Sequence, residues 1–461
     1  MHHLTAAQRG NIEILLQEKY TNKQIAEKLH KHPSSIGREI AKGRDGSSIY
    51  KAFVAQVAYE TNRKRCKQIP ELDVAQHLPQ AVKALQQLRA TIGSNESNYI
   101  VRSVYTDFID NLIANIDMVI AATDHDKAKF HNQNTKLYGN PNRAVFGAAC
   151  AWIRTCAANE QTDPSTKLVR VAKKLLKQIP LVTQSYELLI PSEQVFHSVR
   201  ESHRRVGGFY DNLFEVQGLP TTAYVEQYEG DQICQRVLDT IGSDYQIATA
   251  RNNIWATQRD KKTLLRPLGY RLDADEFIGI VSHEIGSHIL EVVNGSKQPL
   301  QLLGLGLAAY EKGNEGRAFL REQIVYDHEA TFLNQFSWEY IVLLHVAVCL
   351  AHGYDTKPYT FSELYMILYD LYLFFRERRY PFETNNESYA HEEAWYLTVR
   401  VMKGTDGTGG AYQKDIVYLE GNIRCWLLAA QNPEIIRFGD YGKFDLTNKT
   451  HRAMVHGLSR Q

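Results

Sequence analysis

The sequence has no long apolar stretch. Its longest apolar run, Tyr340 to Ala351, is interrupted by His345 and is too short to cross a bilayer. That excludes a helical membrane span as the organising feature. Residues 1–5 (Met1-His2-His3-Leu4-Thr5) show no apolar signal region. Cysteine is scarce: Cys66, Cys150, Cys156, Cys234, Cys349 and Cys425 are scattered, with no CxxC pair. A disulfide framework is excluded, and the thiols read as reduced groups of a cytoplasmic, or nucleoid-associated, protein. No internal repeat and no low-complexity tract interrupts the chain. Cys349, in an apolar helix, reads as a packing residue.

An excess of one charge is also missing, since the formal net charge is only +1. The balance is uneven along the chain, however. Residues 1–68 hold 13 Lys and Arg against 6 Asp and Glu, and the remainder is acidic. A basic head on an acidic body predicts two parts with different partners, the head facing an anion such as nucleic acid. At 461 residues with 44% hydrophobic content, the chain is long enough for several domains with real cores.

The head reads as three short helices. Thr5 and Thr21 are candidate N-caps, and Pro33 opens the third helix, where its missing N–H costs little. Helix, tight turn, then a helix opening with small polar residues is the pattern of a helix-turn-helix. Ser34, Ser35 and Arg38 are its candidate base readers, and Arg63, Lys64 and Arg65 a phosphate-touching tail. The wording is similar to the N-terminal domain of a bacterial insertion-sequence transposase family. It is carried by Leu4-Thr5-Ala6-Ala7-Gln8-Arg9, Ile25-Ala26-Glu27-Lys28-Leu29, Ser35-Ile36-Gly37-Arg38-Glu39-Ile40 and Tyr50-Lys51-Ala52-Phe53-Val54-Ala55-Gln56. Gly37 stands where that family usually has Ser or Thr. No recombinase-like carboxylate set follows, so transposition is not inferred.

Ile69-Pro70-Glu71-Leu72-Asp73 breaks the basic run, so residues 1–68 read as the head, 69–94 as a linker with a helix, and 95–461 as the body. Periodicity predicts helices over 79–92, 99–122, 143–157, 167–177, 192–202 and 230–240. Short strands are predicted at Ala223–Tyr228, Tyr245–Ala250, Asn253–Ala256 and around Leu264–Leu272. The fold class is mainly α with a small β-sheet, an α+β arrangement.

The chemistry sits in His283-Glu284-Ile285-Gly286-Ser287-His288 and, 26 residues further on, Asn314-Glu315-Gly316. His283, His288 and Glu315 form a candidate His2Glu zinc set with an open fourth position. Glu284, beside the first imidazole, is the candidate general base. Two histidines five apart are rotated by about 140° on an ideal helix, so they converge only if the turn holds an extra residue. A π-bulge at Gly286-Ser287 is therefore predicted. Asp273-Ala274-Asp275-Glu276 opens the first helix, and Asn314 is expected to cap a second one with Glu315 in its first turn. His328, His345, His352 and His391 have no ligand spacing to one another and read as core or surface residues.

The body resembles a metallopeptidase family whose bacterial members are called QEGLA-motif proteins and whose animal members are microtubule-associated tyrosine carboxypeptidases. The likeness is carried by His283 to His288, Asn294-Gly295, Gln298-Pro299-Leu300, Gly306-Leu307-Ala308 and Glu315-Gly316-Arg317-Ala318. It extends to Phe130 and Leu137-Tyr138-Gly139-Asn140-Pro141 upstream. Downstream it reaches Val399-Arg400-Val401-Met402-Lys403-Gly404 and Lys414-Asp415-Ile416-Val417-Tyr418-Leu419-Glu420-Gly421. Arg317 replaces the usual Leu, and Lys403 the usual Arg. The resemblance implies a helix-rich, zincin-like fold, one zinc ion and cleavage near a peptide C-terminus. Arg400, Lys403 and Lys414, in the two downstream motifs, are candidates to hold a terminal carboxylate, and Tyr418 to meet the oxyanion. A second reading stays open, a DNA-binding regulator whose peptidase-like body is a non-catalytic sensor or dimerisation module.

Overall fold

The computed structural model describes residue 4 and residues 6–43, 74–160, 166–181, 186–205, 224–250, 254–354 and 357–458. Arg63, Lys64, Arg65, the Tyr50–Gln56 motif and Thr5 lie outside the described residues. The head is α1 (Ala6–Gln17), α2 (Asn22–Lys28) and α3 (Pro33–Lys42). Then come α4 (Val74–Asn95), α5 (Tyr99–Thr123), α6 (Lys127–Tyr138), α7 (Arg143–Asn159), α8 (Lys167–Gln178) and α9 (Glu193–Arg205). A mixed region holds β1 (Tyr224–Glu226), α10 (Gln227–Thr240), β2 (Gln246–Thr249), β3 (Ala256–Gln258), β4 (Thr263–Arg266) and β5 (Arg271–Asp273). It runs into α11 (Ala274–His283), a π-helical turn (Glu284–Ile289) and α12 (Leu290–Gly295). The chain continues through α13 (Leu302–Leu305), α14 (Glu311–Gln323), α15 (Glu329–Phe332), α16 (Phe336–His352) and α17 (Phe361–Arg379). It closes with α18 (Asn386–Val401), α19 (Ile416–Gln431), α20 (Ile435–Phe438) and α21 (Lys449–Leu458).

The fold is mainly α with little sheet, as the periodicity predicts. The strands make two small sheets rather than one. β1 pairs antiparallel with β5, and β2-β4-β3 is mixed, parallel at β2–β4 and antiparallel at β3–β4. The strand expected at Asn253–Ala256 lies at Ala256–Gln258 instead. There Thr257 pairs with Leu264, a register that the local sequence does not announce.

Two cores flank the segment from α11 to α12. α16 is buried all round from Ile341 to Ala351, apolar there except for His345, at the centre of the helical core. Val225, Val237, Leu264 and Tyr270 form a second core with Phe277, Val281, Ile285 and Ile289. The segment from α11 to α12 thus packs its apolar face on the sheet and leaves its other face to the helices.

The head is joined to the helical core, because Ile12, Ile25 and Ile36 are buried with residues of α16 and α17. Arg9 is 2% exposed and its guanidinium bonds Glu39, so two letters of the head motif meet as a buried pair. A Cβ on Gly10 would lie 2.8 Å from the Tyr365 hydroxyl, and Ser362 donates to Glu13. α1 therefore rests on α17 and, through Trp395 beside Gly10, on α18.

Two motif glycines have a packing reason. A Cβ on Gly316 would be 2.1 Å from the Gly421 carbonyl carbon, and one on Gly421 would be 1.9 Å from the Lys312 oxygen. Helices α14 and α19 cross backbone to backbone at this pair. The glycines of the Glu315-Gly316 and Glu420-Gly421 motifs are the residues without which that crossing is impossible.

Candidate metal centre

β5 delivers the chain to the site. Its last residue, Asp273, accepts from the Glu276 N–H at 2.8 Å and caps α11, which opens at the acidic segment as expected. The helix then widens to a π-turn at Glu284–Ile289. The extra residue brings positions five apart onto one face. The His283 and His288 rings lie 5.0 Å apart between centroids and nearly edge-on. Ser287 Oγ donates to the Ser282 carbonyl at 3.2 Å, and Arg321 donates to the Gly286 carbonyl. Carbonyls that a widened turn handles poorly thus find partners.

Glu315 meets these rings from α14. Its Oε2 is 3.9 Å from His283 Nε2 and 3.5 Å from His288 Nε2. One ligand atom from each of the three residues lies within 4.8 Å of the others. Two imidazole nitrogens and a carboxylate oxygen suit a divalent transition metal. The expected cap is corrected. α14 starts at Glu311, and Asn314 lies inside it, donating to Glu291. Glu315 consequently sits one turn deeper than expected and still reaches the histidines.

Two supporting residues escape sequence reasoning. Glu322 Oε2 is 3.0 Å from His283 Nδ1, which leaves Nε2 as the nitrogen facing Glu315. Glu322 follows Glu315 by seven residues on the same helix face, a spacing that flags it once α14 is known. Thr257 Oγ1 donates to Glu284 Oε2 at 2.7 Å and fixes the candidate base from β3. No local signal marks Thr257, because sheet register alone brings it there. His288 Nδ1 is buried with no hydrogen-bond partner among the described residues.

The charges interlock. Burial disfavours ionised Glu315, but His288 and His283, and then Lys414, outweigh it and hold its pKa at about 2. Burial pulls His283 down, yet the hydrogen bond and charge of Glu322, with Glu284 and Glu315, bring it up to about 9. Lys443 is 7% exposed, and burial lowers its pKa against the opposing pull of Glu291, Glu315 and Glu284. It is a cation of this site that no motif pointed to.

The remaining candidates divide. Arg400 holds Asp415 with two bonds of 2.7 Å and donates to the Tyr418 hydroxyl at 3.1 Å. The Tyr418 ring meets Phe319, which meets His283 in turn, and the Glu315 charge reaches the phenol. Burial first, and then Glu315, raise the Tyr418 pKa. The charge of Lys414 is felt by Glu315 and Glu311. Lys403 stands instead over the Tyr412 ring, 5.9 Å from its centroid. In the head, Thr21 and Gln24 form a reciprocal cap on α2, and His32 caps α3 ahead of Pro33. Ser34 and Arg38 are exposed and Ser35 half-buried, so this end of α3 is open to a ligand. A Cβ on Gly37 would have ordinary room, 3.8 Å from Asn22 Nδ2.

Comparison with known families agrees with both halves of this geometry. Residues 1–43 match the model of a helix-turn-helix domain family. Residues 252–335 match that of the family described as microtubule-associated tyrosine carboxypeptidase. This second match spans β3, the two histidines, Glu315 and Glu322. No curated protein and no solved structure matches the chain. The protein thus joins a helix-turn-helix segment to a peptidase-family segment. Among the described residues no helix is long and apolar enough to cross a membrane.

Proposed function

We propose that the chain is a zinc-dependent peptidase that trims the C-terminus of a peptide or protein and is placed on DNA by α1 to α3. The observation that carries this reading is the convergence of His283, His288 and Glu315 at the π-turn. The donor set fits zinc in type and number, with Glu322 fixing the ring of one histidine. A zinc ion held there supplies a Lewis acid and makes water a competent nucleophile near neutral pH.

Glu284, held by Thr257, accepts a proton from the attacking water and returns one to the leaving amine. Tyr418 receives its hydrogen bond from Arg400, so its own O–H remains free to donate to the oxygen of the scissile carbonyl. Its raised pKa keeps that proton in place. Arg400 is already engaged by Asp415 and acts by positioning Tyr418. Lys414 is the better candidate for a terminal carboxylate, as a point charge beside Glu315. The test is incubation of the zinc-loaded protein with peptides ending in a free or an amidated carboxyl group. Release of the last residue from the free form alone supports the reading. Equal cleavage of both would remove the carboxylate clamp from it.

Glu322→Ala frees His283 Nδ1 and lowers zinc affinity about 10–100-fold, because an outer carboxylate orients the ligand ring and raises its basicity. Competition with a chromogenic chelator measures this. Unchanged affinity would separate Glu322 from metal binding. For the head, Arg38→Ala weakens DNA binding by about 1–3 kcal/mol, read by fluorescence anisotropy at several salt concentrations. An unchanged binding curve would exclude Arg38 from the DNA contact.

A further inference from the structure

We infer that Glu193, His197 and His328 form a second site for a divalent transition metal, one that staples α9 to the loop after α14. Glu193 and His197 are four apart on α9 and share a face, with His197 Nε2 3.7 Å from Glu193 Oε1. His328, in the loop between α14 and α15, brings its ring to 5.7 Å from that of His197, edge to face. One ligand atom from each residue lies within 4.8 Å of the others. In a tetrahedral zinc site such atoms are about 3.3 Å apart, from bond lengths near 2.0–2.1 Å. Glu193 and His328 are exposed, so rotation of their side chains closes the set without moving a helix. An open cleft lined by Ser198, Glu201 and Glu434 lies beside His197.

The donor chemistry selects the ion class. Two imidazoles with one carboxylate favour zinc-like ions over calcium or magnesium, which prefer oxygen throughout. The frame is rigid where it must be. Phe196, next to His197, is buried and stacks on Phe332 and Trp426. Arg200, one turn further on, already ties α9 to the same loop through the Ile324 carbonyl at 3.2 Å and through Asp327. That loop continues directly from α14, whose last turn carries Glu322. A metal at this site reinforces the connection that ends the Glu315–Glu322 helix. It uses none of the residues assigned to the peptidase reaction and stands whether or not that reaction is correct.

The experiment is a calorimetric titration of the metal-stripped full-length protein with zinc alone at micromolar concentration. Three proteins are compared: the parent, His197→Ala/His328→Ala and His283→Ala/His288→Ala. The first pair of substitutions lies at the surface and spares the core. Two binding steps are expected for the parent. Each double variant should lose one step and keep the step the other lacks. Parent-like titration of His197→Ala/His328→Ala would overturn the proposal. If only His283→Ala/His288→Ala behaves like the parent, the first site fails and the second survives.

Discussion

Glu284→Gln should lower turnover about 10²–10⁴-fold and leave zinc content unchanged. The amide keeps the shape of the carboxylate and can still accept from Thr257, so the π-turn has no reason to rearrange. Glu284 is not among the three residues whose ligand atoms converge, so the metal set remains whole. What is lost is the ability to take a proton from the attacking water. The measurement is release of the C-terminal residue from a free-carboxyl peptide, beside zinc analysis of the same sample. Parent-like turnover would exclude Glu284 as the base. Loss of both turnover and zinc would make it a structural residue of the metal site.

Arg317→Leu should cost about 3–5 kcal/mol of stability, the range for breaking a buried ion pair from one side. The substitution restores the residue usual in the resembling family, yet here Arg317 is only 1% exposed and binds Glu291 on α12 and Asp440. Asp440 also receives Arg321, at 2.7 Å. Burial raises the Asp440 pKa, but Arg321 and Arg317 outweigh it and hold the carboxyl below its ordinary value. A depressed carboxyl contributes stability above its unfolded pKa of about 3.9 and loses it as pH falls through the folded value. The deficit of the variant is therefore largest near neutral pH and shrinks in acid. Urea unfolding at two pH values checks both the size and the sign. Pairing it with Glu291→Leu should recover part of the loss, since an apolar pair of similar volume is often tolerated. A cost below about 1 kcal/mol would show that Arg317 is not holding the two segments together.

The site was unevenly legible in the sequence. The π-turn could be read from histidine spacing, because five residues on an ordinary helix diverge. The strand before it and the acidic helix start at Asp273 to Glu276 followed from local chemistry. The start of α14 did not. Gly313 looks like a loop residue, but a Cβ there would be 2.2 Å from Asp445 Oδ1, so its role is close packing inside the helix. Asn314 carries a capping side chain and spends it on Glu291. Thr257 and Glu322 depend on sheet register and on a helix pairing, which are tertiary facts. Arg317 was visible as a departure from a motif, but its partners, Glu291 and Asp440, lie far apart in the chain. His328 has no ligand spacing to any other histidine, and only the fold sets it beside His197.

The most direct test of the central claim is the zinc content of the His197→Ala/His328→Ala protein, with and without His283→Ala/His288→Ala added. With the surface site removed, the account predicts about one zinc per chain, lost when the second pair is changed. No zinc in the surface-site variant, even after zinc is supplied, would contradict it. DNA binding would then be the leading function, with the body a non-catalytic module.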